Sequence, residues 1–93
     1  MIEKTDNVQN TNKYDFIYND PIKMGILKIL EKETTCSLGQ IIQKMRLSNI
    51  TGPEHILELR NIGLVNKTGN PPTFQLNKEK YQEFLKHFAA NKR

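Results

Sequence analysis

The sequence contains a single cysteine and no long apolar run, and these two shortages limit the kinds of protein it can be. Cys36 has no second cysteine with which to form an intrachain disulfide. A free thiol fits a reducing cytosol, and a bridge between subunits is the alternative. No apolar run approaches the ~20 residues that a membrane-spanning helix needs, and the first residues lack the apolar core of a signal peptide. We therefore expect a cytoplasmic protein with no membrane partner.

The charge of the chain is unevenly distributed. The formal net charge is +4, and residues 64–93 contain six basic side chains and two acidic ones. A basic surplus in the C-terminal third favours a polyanionic partner, although lysines also serve solubility alone. With 93 residues the chain is long enough for one small domain. Because such a domain buries a modest core, oligomerisation is an expected additional source of stability.

Hydrophobic spacing divides the chain into three parts. Residues 1–13 are polar and aperiodic, and we predict a disordered tail there because they bury too little apolar surface to offset the entropy of ordering. Residues 14–90 form the predicted domain, and residues 91–93 are a basic C-terminal end. Within the domain, Asp20 is a good N-cap and Pro21 suits a first helical position, so a helix is predicted from there to about residue 32.

Three more helices and a short strand are predicted from similar signals. Apolar residues at helical spacing predict a short first helix over residues 14–18. A short strand or extended link leads to Ser37, which forms a capping box with Gln40 and begins a helix that ends near Arg46. After a turn, another helix ends at Gly63.

The remainder of the domain is predicted to be a β-hairpin and a final helix. Strand-like runs at residues 64–67 and 73–76 are joined by turn-forming residues, and Asn77 caps the last helix. Two helices joined by a short turn and followed by a hairpin are typical of the winged helix-turn-helix arrangement. The predicted fold class is therefore mostly α with a small β-hairpin.

A set of residues within this arrangement matches a known family. They are Asp20-Pro21, Ile26-Leu27, Leu30, Cys36, Ser37, Leu38, Leu47-Ser48, Thr51, His55-Ile56, Leu59-Arg60 and Gly63-Leu64-Val65. Over residues 19–76 the sequence resembles the ArsR-type winged-helix transcriptional regulators and, more loosely, the MarR type. The resemblance implies a homodimer on double-stranded operator DNA, with the second helix of the motif in the major groove and the hairpin against the backbone or minor groove.

The residue types at these positions suit contacts with DNA. Four side chains are expected to position the duplex by contacting phosphates: Lys44, Arg46, Lys67 and Asn70. Four others are expected nearest the bases: Ser48, Asn49, Thr51 and His55. The terminal helices are expected to form the dimer interface, and the predicted interface residues are Tyr14, Ile17, Tyr18, Tyr81, Phe84, Leu85 and Phe88. The alternative for this aromatic stripe is that it closes its own domain.

The segment from Gly52 to Glu54 fits poorly in a DNA-reading helix. If Thr51 is the N-cap, Pro53 falls in the first turn and its missing N–H costs little; if Ser48 is the cap, Pro53 lies deeper and removes a helical hydrogen bond. A carboxylate at Glu54 repels phosphates. These features support a rival interpretation, a winged-helix protein-interaction module without sequence-specific DNA binding.

Catalytic, cofactor and metal sites are not expected. The family's metal-sensing Cys-x-Cys pair corresponds here to Thr34 and Cys36, and soft-metal sensing needs several thiolates. In the last helix, Glu79, Glu83 and His87 are spaced i, i+4, i+8 and are predicted to face water. The histidines and the cysteine have no recognisable catalytic spacing.

Overall fold

A computed structural model of the chain describes residues 14–91, with side chains as far as Phe88. The predicted tail over residues 1–13 and the last two residues of the predicted basic end lie outside the described residues. Residues 14–18 form the short helix α1. The other elements are α2 (Pro21–Glu33), β1 (Cys36–Ser37), α3 (Leu38–Met45), α4 (Thr51–Asn61), β2 (Val65–Thr68), β3 (Thr73–Leu76) and α5 (Lys78–Asn91). This order of elements confirms the prediction.

The helices begin and end at the predicted capping residues. Asp20 accepts hydrogen bonds from the first-turn N–H groups of α2 at 2.9 and 3.2 Å, and Pro21 is the first residue of that helix. The predicted capping box of α3 forms, with Ser37 N–H donating to Gln40 at 2.8 Å and the reciprocal bond at 3.1 Å. Gly63, with φ of 86°, follows α4 in the left-handed conformation that a Schellman-type stop requires.

The three strands form one antiparallel sheet in the order β1-β3-β2. Cys36 pairs with Phe74, so the predicted short strand extends the predicted hairpin into a three-stranded sheet. The hairpin strand β2 begins at Val65 rather than at the predicted Leu64. Leu64 is held at the end of α4, because its N–H donates to the Leu59 carbonyl and its own carbonyl accepts from Asn77 N–H.

One hydrophobic core joins the helices to the sheet. Its fully buried side chains come from five elements and the loop after α4, and they include Ile26, Leu27, Leu30, Cys36, Ile41, Leu59, Leu64 and Phe84. Ile17 of α1 and Tyr81 of α5 are also buried in this cluster. The protomer therefore buries Ile17, Tyr81 and Phe84 by itself, which is the alternative considered above for the aromatic stripe.

Candidate nucleic-acid interface

The start of α4 is capped by a residue outside the helix. The helix begins at Thr51, and neither Thr51 nor the preceding Ile50 provides a side-chain cap. Instead, Ser48 Oγ accepts from the N–H groups of Ile50 and Thr51 at 3.2 and 2.9 Å, and the Ser48 carbonyl accepts from Gly52 N–H at 3.0 Å. Of the two capping residues considered for this helix, Thr51 does not cap it, and the Ser48 hydroxyl accepts from these donors instead. Pro53 nonetheless lies in the first turn, where its missing N–H costs little.

Gly52 allows α4 to lie close against α3. This glycine is buried, and a Cβ atom on it would lie 2.7 Å from Cγ1 and 3.1 Å from Cδ1 of Ile42. Distances of this kind leave no room for any side chain at this position. The small residue that looked out of place in the sequence thus sets the spacing between the two helices.

The side of α4 opposite the core forms an outward stripe, defined by Ile50, Glu54, Leu57 and Asn61. These four residues are spaced i, i+4, i+7 and i+11, which places them on one face of a helix. All four are exposed; Ile50 has 73% of its surface accessible and Leu57 has 50%. The outermost surface of α4 is therefore half apolar and carries one carboxylate.

The side of α4 that faces α2 contains a buried lysine and its three partners. Lys23 is only 6% exposed, and its Nζ lies 2.8 Å from Asp20 Oδ2 and 2.7 Å from Glu58 Oε1. The same Nζ lies 2.8 Å from Nδ1 of His55 and donates to it when that nitrogen carries no proton. The three N–H donors of the ammonium group thus have three acceptors. We call this group of four residues the Lys23 cluster.

The Lys23 cluster shifts the ionisation of two of its members. Burial by itself lowers the pKa of Lys23, but hydrogen bonds to Asp20 and Glu58 outweigh it and raise the pKa above the ordinary 10.5. Burial by itself raises the pKa of Asp20, and the Lys23 side chain and backbone outweigh it and lower the pKa below 3.8. His55 is half-buried in this cluster and not on the outward stripe, although it was predicted to lie nearest the bases. The sequence signal for the cluster was weak, because the Asp20–Lys23 and His55–Glu58 spacings are local but no local rule joins one pair to the other.

A cleft separates α4 from β2 on the opposite side of the helix. Its volume is about 490 Å³, and its lining includes Leu57, Arg60 and Lys67. The same three residues line an adjoining groove of about 240 Å³ that extends to Pro53 and Phe74. Arg60 and Lys67 are both exposed, so the cleft carries two cations on facing elements. Arg60 was missing from the predicted site residues, even though it belongs to the Leu59-Arg60 pair that carries the resemblance.

The other predicted site residues lie in two places on the surface. Lys44, Arg46, Asn49 and Thr51 are exposed around the turn between α3 and α4, and Asn70 is exposed in the turn between β2 and β3. Lys44 is 3.8 Å from the exposed Glu33, a separation at which a solvated ion pair contributes little. Its charge therefore remains available to a polyanion.

Aromatic rings hold α1 against α5. Tyr18 stacks on Phe88 with ring centres 4.0 Å apart, and Tyr14 meets Phe84 edge-on at 5.4 Å. His87 packs edge-on against Tyr14 and Phe88 at 5.5 and 4.7 Å. The prediction that His87 faces water is therefore wrong, because Tyr14 of α1 and the adjacent Phe88 of α5 pack against its ring. Its predicted companions in that row, Glu79 and Glu83, are exposed.

Cys36 is a buried thiol at the start of β1, and it is 2% exposed. Burial, with a contribution from the charge of Glu33, raises the pKa of the Cys36 thiol above its ordinary value, which disfavours the reactive thiolate. Among residues 14–91, no three histidine, cysteine, aspartate or glutamate side chains are grouped so as to hold a metal ion. No helix within the same range is long and apolar enough to cross a membrane.

The architecture was compared with solved structures. An ArsR family transcriptional regulator superposes with a TM-score of 0.74 and 15% identity, covering 88% of this chain and 91% of that one. NolR from Sinorhizobium fredii superposes with a TM-score of 0.77 and 20% identity over 97% and 91% of the two chains. The transcriptional repressor BigR from Xylella fastidiosa gives 0.70 and 14% over 100% and 97%.

The chain has the winged helix-turn-helix fold. No family model matches its sequence, and no curated protein is similar to it by sequence. In this fold α3 and α4 form the helix-turn-helix, α4 occupies the position that is called the recognition helix in DNA-binding proteins, and the β2–β3 hairpin is the wing. The cleft lined by Arg60 and Lys67 therefore lies between α4 and the wing.

Proposed function

We propose that the protein is a transcriptional regulator that binds double-stranded DNA as a homodimer in the cytoplasm. The observation that carries this proposal is the cleft between α4 and the wing, where the exposed cations Arg60 and Lys67 face the same space. Phosphate groups are the ligands that paired arginine and lysine side chains bind in DNA complexes. Two of the three solved structures that share the fold are described as a transcriptional regulator and a transcriptional repressor, which is consistent with this assignment.

Binding to the phosphate backbone is expected to supply most of the affinity. The recognition helix carries the acidic residues Glu54 and Glu58 against the single cation Arg60. Glu58 is paired with Lys23, which offsets one of these charges within the protein. Arg46 and Lys44 at the turn before α4, together with Lys67 in the wing, then provide cations on both sides of the helix.

The proposed dimer uses the outer surface of α1 and α5. Tyr18 of α1 remains 38% exposed while its ring stacks on Phe88 of α5. Tyr14, Leu85 and Phe88 are half-buried along the same pair of helices. Exposed aromatic groups on terminal helices are a ready surface for a second copy. Sedimentation of the full chain should give a species of twice the 10.8 kDa chain mass; a purely monomeric profile at micromolar concentration would contradict the dimer.

The DNA proposal is tested by titrating a fluorescent random-sequence duplex with the full chain at several salt concentrations. We expect micromolar or tighter binding at low salt, and a logarithm of affinity that falls linearly with the logarithm of salt concentration, because bound phosphates release counterions. Lack of micromolar binding at low salt would refute the proposal.

Two variants locate the contact surface. Arg60→Ala and Lys67→Ala should each reduce the salt slope of the dimer by about two, since each removes one phosphate contact from each of the two protomers. The matched control is Lys28→Ala, which removes the same charge from an exposed position on α2. If the control weakens binding as much as the cleft variants do, the affinity comes from overall charge and not from this cleft.

The second candidate function is a winged-helix module that binds a protein. The apolar exposure of Ile50 and Leu57 favours it, because large exposed apolar groups on one face mark interaction surfaces. The two functions differ in the salt titration, since only the regulator requires duplex binding. A chain that does not bind DNA but remains folded by circular dichroism would favour the interaction module.

A further inference from the structure

The outward stripe of α4 contains few of the hydrogen-bonding side-chain groups that usually contact bases. Base edges in the major groove are usually read by side chains with several hydrogen-bonding atoms, such as arginine, asparagine and glutamine. Here two of the four stripe residues, Ile50 and Leu57, have no polar side-chain atom, and both are well exposed. If α4 enters the major groove, these two side chains lie closest to the base edges together with Glu54 and Asn61.

Thymine offers the apolar group that such side chains can contact in the major groove. Each base pair presents hydrogen-bond donors and acceptors there, and thymine adds the C5-methyl group. We propose that Ile50 and Leu57 contact thymine methyl groups, so that the protein selects sites with thymines at two separate positions of each half-site. This inference rests on the proposed DNA-binding function and specifies which DNA the recognition helix prefers.

The spacing of the two side chains determines the arrangement of the thymines. Ile50 and Leu57 are seven residues apart, which is ~10 Å along a helix axis at 1.5 Å per residue. Successive base pairs are stacked ~3.4 Å apart, so the two side chains reach different base pairs. Glu54 lies between them, and its carboxylate is a hydrogen-bond acceptor. It repels the acceptor atoms of guanine and can accept a hydrogen bond from the exocyclic amine of adenine or cytosine. Adenine paired with thymine provides such an amine next to the methyl group.

The experiment compares DNA with and without the methyl group at constant sequence. A random duplex pool is enriched by binding to the full chain and is then amplified with either thymidine or deoxyuridine triphosphate. Uracil lacks only the C5-methyl group, so the phosphate charge and the hydrogen-bonding pattern of both pools are the same. Competition titrations measure the ratio of affinities for the thymine and uracil pools.

The wild-type chain should bind the thymine pool about fourfold more tightly for each methyl group it contacts, which follows from the transfer of one apolar carbon out of water. Leu57→Ala and Ile50→Ala should each reduce this ratio, and the double variant should bring it close to one. Leu57→Met is the matched control, because it keeps an apolar side chain of similar size and should keep most of the preference.

The outcomes separate this inference from the function on which it rests. Binding with equal affinity for both pools would overturn the methyl contacts and leave the DNA-binding function intact. A preference for thymine that persists in the double variant would also overturn them, because it would come from the shape or stiffness of the DNA. Absence of binding to either pool would refute the DNA-binding function and this inference together.

Discussion

Replacing Lys23 by methionine tests whether the Lys23 cluster stabilises the contact between α2 and α4. Methionine keeps an unbranched side chain of similar length and removes the ammonium group. Lys23→Ala removes the charge and also most of the buried stem. Comparing the two variants separates the electrostatic contribution of the cluster from the packing of the aliphatic chain.

The structure sets the expected magnitudes. Hydrogen bonds to charged groups each contribute about 1.5–3 kcal/mol when they are buried, but Glu58 has 61% of its side chain exposed and regains water in the variant. Asp20 keeps its two backbone donors at the start of α2. We therefore expect Lys23→Met to lower the free energy of unfolding by about 1–2 kcal/mol. Lys23→Ala also removes the three methylene groups of the lysine stem beyond Cβ, which methionine replaces with three atoms of similar size, and this adds about 2.4 kcal/mol at 0.8 kcal/mol each.

The effect of Lys23→Met should also depend on pH. The pKa of Asp20 is lowered below 3.8 in the folded state, so its contribution is present above that value and is lost as the pH falls through the folded-state pKa. The pKa of Lys23 is raised above 10.5, so its contribution is present below 10.5 and is lost as the pH rises through the folded-state pKa. The stability difference between wild type and variant should thus be largest between these two limits.

Urea unfolding followed by circular dichroism, together with thermal melts, measures both effects. A loss of 1–2 kcal/mol corresponds to a decrease in melting temperature of roughly 4–16 °C for a domain of this size. Buried ion pairs are sometimes replaced by apolar groups without loss of stability. A Lys23→Met variant that is as stable as wild type at pH 7 would therefore refute the argument that this cluster stabilises the fold.

Two other substitutions test the packing between helices. Gly52→Ala should lower the free energy of unfolding by about 1–2 kcal/mol. The steric contact of the new Cβ with Ile42 outweighs the gain of up to about 1 kcal/mol in helix propensity. An increase in the urea midpoint would contradict the close approach of α3 and α4. Tyr81→Phe should cost about 1 kcal/mol at pH 7, because it removes the 3.1 Å hydrogen bond to Glu31. Burial and this acceptor raise the pKa of Tyr81 to about 12, so wild type loses stability from pH 10 to 12 as the unfolded chain ionises, and the phenylalanine variant should lack this loss in urea titrations.

The elements of the fold were predictable because their signals are local. Asp20, Ser37, Gly63 and Asn77 each mark a helix end through bonds to residues no more than five positions away. Such signals can be read from a short window of sequence. The hairpin was also predictable, because its turn residues lie between two strand-like runs.

The contacts between distant segments were not predictable from the same signals. His55 lies 32 positions from Lys23, and no local rule relates the two, so the sequence alone predicts that the histidine lies at the DNA surface. The apolar face of α5 presents a similar problem. The spacing of its residues shows which face of the helix is apolar, but it does not show whether α1 or a second subunit covers that face. The structure places Tyr14 and Tyr18 of α1 on that face, beside Phe84 and Phe88.

The two sides and the outer face of α4 have different chemistry, and this allows affinity and specificity to be tested separately. His55 and Glu58 are engaged with Lys23 on the α2 side, Arg60 faces the cleft beside the wing, and Leu57 belongs to the outward stripe and also lines the edge of that cleft without adding charge. A phosphate contact changes the salt dependence of binding for every sequence, whereas a methyl contact changes the ratio between thymine and uracil.

Arg60→Ala should therefore flatten the salt slope and leave the thymine-to-uracil ratio unchanged. Leu57→Ala should reduce that ratio and leave the slope unchanged, since it removes no charge. If both variants changed both quantities together, α4 would have moved as a whole, and neither side chain could be assigned a separate contact. A melting temperature unchanged from wild type in each variant is the control that excludes such a movement through loss of folding.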